Sequence, residues 1–258
     1  MKLSLRSVLI FPYVILIICL AIAIGFLSYG AGSHAVQTVS NHLLIETVNR
    51  ISQAIDRHVV GSVATLEVAF PNGMLVDSDI ETDIEAIRSR FWSASSLHLD
   101  PNNYVYYGNQ AGQAVGLYRY SADEGELRVK YKPEEHRKFY GISGINGVPT
   151  LFSTEEENFD PRMRPWFHAG LSNNNDTWTS VYIDFRTHDL IATRARQVLG
   201  YDKKFEGVVA TDMSLKSLND FVSHLNISTN GIAFIIEPDG LLIASSVSPN
   251  IQRDKSGK

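Results

Sequence analysis

Phe159-Asp160-Pro161-Arg162-Met163-Arg164-Pro165-Trp166-Phe167 is the stretch on which the reading of this 258-residue chain turns. Each proline fixes its own φ and biases the residue before it, Asp160 or Arg164, towards extended backbone. The segment is therefore expected to form a rigid corner that presents Arg164 and Trp166 as a fixed pair. A guanidinium offers a planar fork that matches a carboxylate bidentately, and an indole supplies a wall and one N–H donor. The competing reading is a structural turn with a solvated arginine and a core tryptophan.

On either side of this corner the chain reads as short strands divided by turn chemistry. Tyr104–Tyr107, Ala114–Tyr120 and Leu127–Lys132 are split by Gly108-Asn109 and by Ala122-Asp123-Glu124-Gly125, after a linker helix around Ile80 to Ser95. Thr177–Ile183, Leu190–Leu199 and Phe205–Met213 follow. The intervals hold too little helix for crossovers between parallel neighbours, so an antiparallel sheet is expected. Ser214 is placed to cap a helix carrying Leu215, Leu218, Phe221, Val222 and Leu225. Gly231–Glu237 and Leu241–Ser245 flank Pro238-Asp239-Gly240 as a hairpin, before a polar tail from Asn250 to Lys258.

Between Arg6 and Glu46 there is no Lys, Arg, Asp or Glu, and Val8 to Gly32 is almost entirely apolar. A bilayer span needs ~20 apolar residues, and Lys2 and Arg6 ahead of it predict an N-terminus in the cytoplasm and the rest of the chain outside. A cleaved signal peptide is the alternative, encouraged by Gly30, Ala31, Gly32 and Ser33, although its apolar core is usually only ~7–15 residues. From His34 to about Leu66, apolar residues recur at helical spacing (Val36, Leu43, Leu44, Val48, Ile51, Ile55, Val59, Val63), which predicts one long amphipathic helix. Its apolar stripe must be buried against its own domain or a second copy, so a homodimer is expected.

The chain carries 23 basic and 28 acidic residues; without Lys2 and Arg6 the outer part stands at −7, which disfavours nucleic acid as a partner. Cys19, the only cysteine, lies in the apolar span, so the outer region must be held by its core rather than by disulfides. The histidines show no metal-ligand spacing, and no cofactor fingerprint, phosphate loop or nucleophile elbow is present. An extracytoplasmic hydrolase and a purely structural stalk module are the rival classes.

Together with Trp178-Thr179-Ser180-Val181-Tyr182-Ile183-Asp184 and Phe205-Glu206-Gly207-Val208-Val209-Ala210-Thr211-Asp212, the opening stretch resembles the double Cache family of extracytoplasmic sensor domains. The run Asp100 to Gln110 makes it most similar to the sensors attached to diguanylate cyclases. The resemblance implies an α+β fold with a PAS-like antiparallel sheet, in a receptor of the cytoplasmic membrane whose sensor faces outwards. It divides the chain into a cytoplasmic N-terminus (1–7), a transmembrane helix (8–32), a stalk helix (33–66), a membrane-distal ligand-binding module (67–226) and the start of a second, membrane-proximal module (227–258). That second module is expected to be incomplete, with a cytoplasmic output domain beyond it.

Family members that bind free amino acids share a spaced pattern, filled here by Phe159, Arg164, Trp166, Phe167, Tyr182 and Asp212. By that resemblance Arg164 and Trp166 hold a carboxylate while Tyr182 and Asp212 receive an ammonium. The family pattern has tyrosine where this chain has Phe159 and Phe167, and a lost hydrogen bond to a buried ligand group costs about 1–3 kcal/mol. An amino acid, an amine, another small carboxylate, a larger apolar ligand or a pocket that only packs therefore remain open. Asp184, Arg186, His188 and Arg194 are further candidates for the same cavity, although Arg194 and Arg196 share a strand face that suits surface ion pairs.

Overall fold

The computed structural model describes residues 5–97, 104–225, 227, 230–237 and 240–248. Expectations for Asp100 to Asn103, for the Pro238-Asp239 turn and for the tail from Asn250 lie outside the described residues. The chain divides into two compact units, Met1–Ile51 and Ser52–Lys258.

One continuous helix, α1 (Leu5–Ala69), contains the apolar segment, with Pro12 near its start. Its described part is long and apolar enough to cross a membrane, with a mean hydropathy of 2.8 over its most apolar window. Within the first unit, Val36, Leu43, Leu44 and Val48 are all exposed.

Among the described residues, the second unit is built on a ten-stranded sheet. Its members are β1 (Leu75–Val76), β2 (Tyr104–Asn109), β3 (Ala114–Arg119), β4 (Glu124–Lys130), β5 (Lys138–Ser143), β6 (Thr150–Thr154), β7 (Thr177–Trp178), β8 (Tyr182–Ile183), β9 (Leu190–Gly200) and β10 (Phe205–Ser214). The order is β1-β9-β10-β2-β3-β4-β5-β6, with β7 and β8 also on β9. Every pairing is antiparallel except β1 on β9, where Leu75 faces Leu199. The expected strand Thr177–Ile183 is interrupted, giving β7 and β8, and β5 and β6 were not foreseen.

Helix α2 (Ile80–Ser95) keeps the expected limits because Asp79 caps it, its side chain accepting from the Glu81 amide. The last turns of α1 and the inner side of α2 cover one sheet face, where Leu66, Phe70, Phe91, Val105, Tyr107 and Leu117 form the main core. The other face is covered by the Phe159–Phe167 stretch and by α3 (Pro165–Ser172), with Phe159, Trp166 and Phe167 against Tyr104, Tyr106 and Val208. Because both faces are covered, β2 is buried at all its positions.

Ser214 caps α4 (Leu215–Ser223) by accepting from the Lys216 amide at 3.2 Å. Leu218 and Val222 of α4 pack on Ala54 of α1 and on Ala244 of the hairpin β11 (Phe234–Ile236) and β12 (Leu242–Ser245).

Candidate ligand-binding site

Strand register builds the floor of a cavity before any loop is considered. Across the sheet, Ala195, Ala210, Tyr106, Gly116, Arg128 and Phe139 stand in one row of cross-strand partners. Side chains in a row share a face. The small residues in this row leave space that the larger ones border. The Tyr104 ring occupies part of it by lying on Gly116, where a Cβ would stand 2.5 Å from the Tyr104 hydroxyl.

The Phe159–Phe167 corner closes the space from above. Asp160 and Arg164, the two residues before proline, are both extended, at φ −116°, ψ 116° and φ −92°, ψ 147°. Between them Pro161–Met163 forms a single 3-10 turn, which Asp160 caps by accepting from the Arg162 amide at 2.9 Å. Pro165 then occupies the first turn of α3, where its missing N–H costs nothing. The buried Lys130 ammonium holds the corner to β4, donating to the Phe159 carbonyl at 2.6 Å and to Asn158 Oδ1 at 3.1 Å. Pro161 and Trp166 rest on Gly108, where a Cβ would meet them at 2.7 and 2.9 Å.

Beneath the corner lies a partly open space, which Phe159, Arg164, Trp166 and Tyr182 line together with Asp184 and Arg186. An adjoining open recess is also lined by Tyr104, Arg128 and Asp184, and by Asp212. Phe167 does not line either space: it lies behind Trp166, edge-on to Trp166 and to Phe205. The phenylalanine at 167 therefore removes no hydroxyl from the cavity wall. Arg194 is also absent from the lining and instead pairs with Asp176 at 3.1 Å, while Arg196 pairs with Glu67 at 2.7 Å.

Electrostatics divide the lining into saturated and unsaturated groups. Arg137 makes a two-point contact with Glu155, at 2.7 and 3.0 Å, with its guanidinium 3.8 Å over the Phe159 ring. Arg128 pairs with buried Glu126 at 2.6 Å. Burial pushes the Glu126 carboxyl up, but Arg128 and the Tyr120 hydroxyl outweigh it and leave it below the usual value. Arg164 has no carboxylate partner among the described residues; its guanidinium sits 4.9 Å over the Phe185 ring.

At the acidic side, Asp212 Oδ1 accepts from the hydroxyls of Tyr106 and Thr193, each at 2.6 Å. Thr193 Oγ1 also meets the Tyr182 hydroxyl at 2.7 Å, so two hydroxyls bond the carboxylate and a third reaches it only through Thr193. Burial lifts the Asp212 carboxyl to about 7, the nearby charge of Asp184 adding to the rise while the hydroxyls of Thr193 and Tyr106 oppose it. Asp184 lies in the turn between β8 and β9, its Oδ1 accepting from the amides of Arg186 and Thr187 at 3.0 and 2.7 Å. The cavity thus offers an unpaired guanidinium beside an indole, and two carboxylates with a tyrosine hydroxyl. A molecule with one carboxylate and one ammonium matches both poles.

Tyr104, Tyr106, Arg128, Arg137, Phe185 and Thr193 are parts of this site that sequence reasoning missed. The signal for one was present: Glu126-Leu127-Arg128-Val129-Lys130 alternates strictly. The apolar residues of that run join the helix-side core, and the charged ones are buried on the cavity side of the sheet, where Arg128 lines the cavity.

Comparison with known proteins agrees with this architecture. Residues 103–220, less than half of the chain, match the family model described as methyl-accepting chemotaxis protein-like, first PDC sensor domain. The chain is 29% identical over 120 residues to the methyl-accepting chemotaxis protein PctB of Pseudomonas aeruginosa, covering 46% of this chain and 19% of that protein. It is 31% identical over 103 residues to McpC of Bacillus subtilis, covering 39% and 16%. The chain thus spans less than a fifth of the length of these curated relatives. Among solved structures, the ligand-binding domain of Mlp24 with asparagine is similar at a TM-score of 0.50 and 15% identity, over 83% of this chain and 73% of that one. The sensory domain of the Campylobacter jejuni chemoreceptor Tlp3 is similar at a TM-score of 0.50 and 15% identity, over 83% and 79%. The fold is that of Cache/PDC sensor domains, and the matched segment is a sensor module rather than a catalytic one. The similarity is to chemoreceptor sensors, which corrects the closer likeness to diguanylate cyclase sensors drawn from the Asp100–Gln110 run.

Proposed function

We propose that this chain is the extracytoplasmic amino-acid sensor of a transmembrane receptor with a chemotaxis-type output. The observation that carries it is the pairing, across two adjoining spaces, of the unpartnered Arg164 guanidinium with the Asp184, Asp212 and Tyr182 cluster. Those groups complement the two charges of a free amino acid. The asparagine in the Mlp24 structure supports the same ligand class. Phe159, Arg164, Trp166, Tyr182 and Asp212 contact the ligand in this reading, and Phe167 supports Trp166 from behind.

Residues 67–226 act as the membrane-distal ligand-binding module, and the hairpin β11–β12 begins a second, membrane-proximal one. The apolar segment Val8–Gly32 anchors the receptor in the cytoplasmic membrane with its N-terminus inside. The exposed stripe Val36, Leu43, Leu44 and Val48 supports a homodimer formed along α1. A ligand moves such a receptor only by its differential affinity for two states.

The test is calorimetric titration of the full chain in detergent with the proteinogenic amino acids. Saturable binding that disappears in Arg164→Ala, with the fold retained, is the expected result. A folded wild type that binds none of them, or binding unchanged in Arg164→Ala, would sink the assignment.

A further inference from the structure

The turn between β8 and β9 places three unlike side chains in succession on the cavity wall: the carboxylate of Asp184, the ring of Phe185 and the guanidinium of Arg186. Phe185 meets Phe159 edge-on and underlies Arg164. Arg186 is held by its stacking on Phe139, 3.9 Å from guanidinium carbon to ring centroid. Its nearest carboxylate is Glu126, at 3.8 Å, which is too long for a hydrogen bond. Glu126 is already engaged: Oε1 accepts from Arg128 and Oε2 from the Tyr120 hydroxyl, both at 2.6 Å. Arg186 is therefore oriented but makes no side-chain hydrogen bond among the described residues.

The charge balance of the lining follows. Arg137 is cancelled by Glu155, and Glu126 is shared between Arg128 and Arg186. With Arg164 unpaired, the guanidiniums of Arg128, Arg164 and Arg186 share Glu126 and Asp184 around this space. Asp184 and Asp212 provide the opposite charge in the turn and the adjoining recess. A neutral amino acid brings only one anionic group to this cationic side, whereas a second carboxylate would give Arg186 the partner that Glu126 does not supply.

We propose that Arg186 determines specificity by binding the side-chain carboxylate of the ligand, so that the preferred ligands are the acidic amino acids. This rests on the amino-acid reading above and names its subclass. Arg164 takes the α-carboxylate, Asp184 and Asp212 the ammonium, and Arg186 the second acid through a charge-assisted fork.

The deciding experiment titrates the full chain with L-glutamate and L-aspartate, with their uncharged isosteres L-glutamine and L-asparagine, and with succinate, which lacks the ammonium. Acidic ligands should bind about tenfold more tightly than their amides or more, as a charged hydrogen bond allows. In Arg186→Gln that preference should shrink to about twofold by weakening the acidic ligands alone, with Arg186→Lys intermediate. Succinate should bind more weakly than glutamate, because it leaves the acidic cluster unmatched. Arg186 is surface-exposed, so both variants should fold, which their melting temperatures would verify. Equal affinity for acid and amide, or a preference that survives Arg186→Gln, would overturn the inference while leaving the amino-acid sensor standing. Succinate binding as tightly as glutamate would overturn it as well, by showing that the ammonium is not read. No binding by any of the four amino acids to folded wild type would overturn this inference, and the amino-acid reading would fall with it only if the other proteinogenic amino acids also failed to bind.

Discussion

Val105 and Tyr107 point to one side of β2 and Tyr104 and Tyr106 to the other, yet the two sides have opposite characters. The helix-covered side is a packed core in which Phe70 stacks on Tyr107 at 4.8 Å and meets Phe91 edge-on at 6.0 Å. The corner-covered side also buries Glu126, Arg128 and Lys130, and leaves a cavity that Arg128 lines. Burying polar groups is tolerated only when they are hydrogen-bonded, and here Glu126 bonds Arg128 and Tyr120 while Lys130 bonds the Phe159 carbonyl. One face of the sheet therefore contributes cohesion and the other contributes chemistry, with a strand only one residue thick between them.

Substitutions on the two faces should separate these contributions. The largest effect is expected from Phe91→Ala on the helix side, a loss of about 3–5 kcal/mol in denaturant unfolding with ligand affinity of the folded protein unchanged. A loss below about 1 kcal/mol would show that stability does not reside on that face. Arg164→Ala should do the reverse, weakening ligand binding about a hundredfold while the unliganded melting temperature stays in place. A clear drop in that melting temperature would mean that Arg164 belongs to the core. Gly108→Ala should cross the division, since its new methyl meets Pro161 and Trp166. Here a loss of about 1–3 kcal/mol and weakened binding are expected together, measured on the same sample. Affinity unchanged in a destabilised Gly108→Ala protein would show that the seating of the corner does not matter to the site.

The smallest effect is a pH dependence of the unliganded protein. Asp212, raised to about 7 by burial, keeps its proton in the folded state over a range where the unfolded chain has lost it. The folded state then binds more protons, so this contribution to stability is complete below about pH 4 and lost as pH rises through about 7. Between pH 6 and 8 the loss is about 1 kcal/mol, and Asp212→Asn should abolish it in melting curves. Ligand affinity should run the other way, strengthening as Asp212 ionises and becomes an acceptor for ammonium. Identical pH slopes in wild type and Asp212→Asn would assign the titration elsewhere.

The helix side was the more legible of the two in the sequence. Helix α2 was readable to its ends because the apolar spacing of Ile80, Ile87 and Phe91 is local. Ser214 and the hairpin strands of β11 and β12 were readable for the same reason. Strands β5 and β6 were not, since glycines at 141, 144 and 147 punctuate that region and every residue of β6 is exposed, leaving no alternation. On the site side, the corner could be read because proline acts on its own neighbours. Its partners could not: Tyr104-Val105-Tyr106-Tyr107 is apolar on both faces and gives no sign of which side meets a ligand. The charged positions of β4 carried the right alternation, but the usual inference from it, polar side towards water, is reversed here by the corner lying over them.

Pro161 and Pro165 give that corner a kinetic property. The backbone torsions on either side of Arg164 are settled when the protein folds, so a ligand arriving there has only side-chain rotations left to freeze. Capture at such a place is a collision rather than a rearrangement. Its rate should follow ligand concentration without saturating and should respond to solvent viscosity.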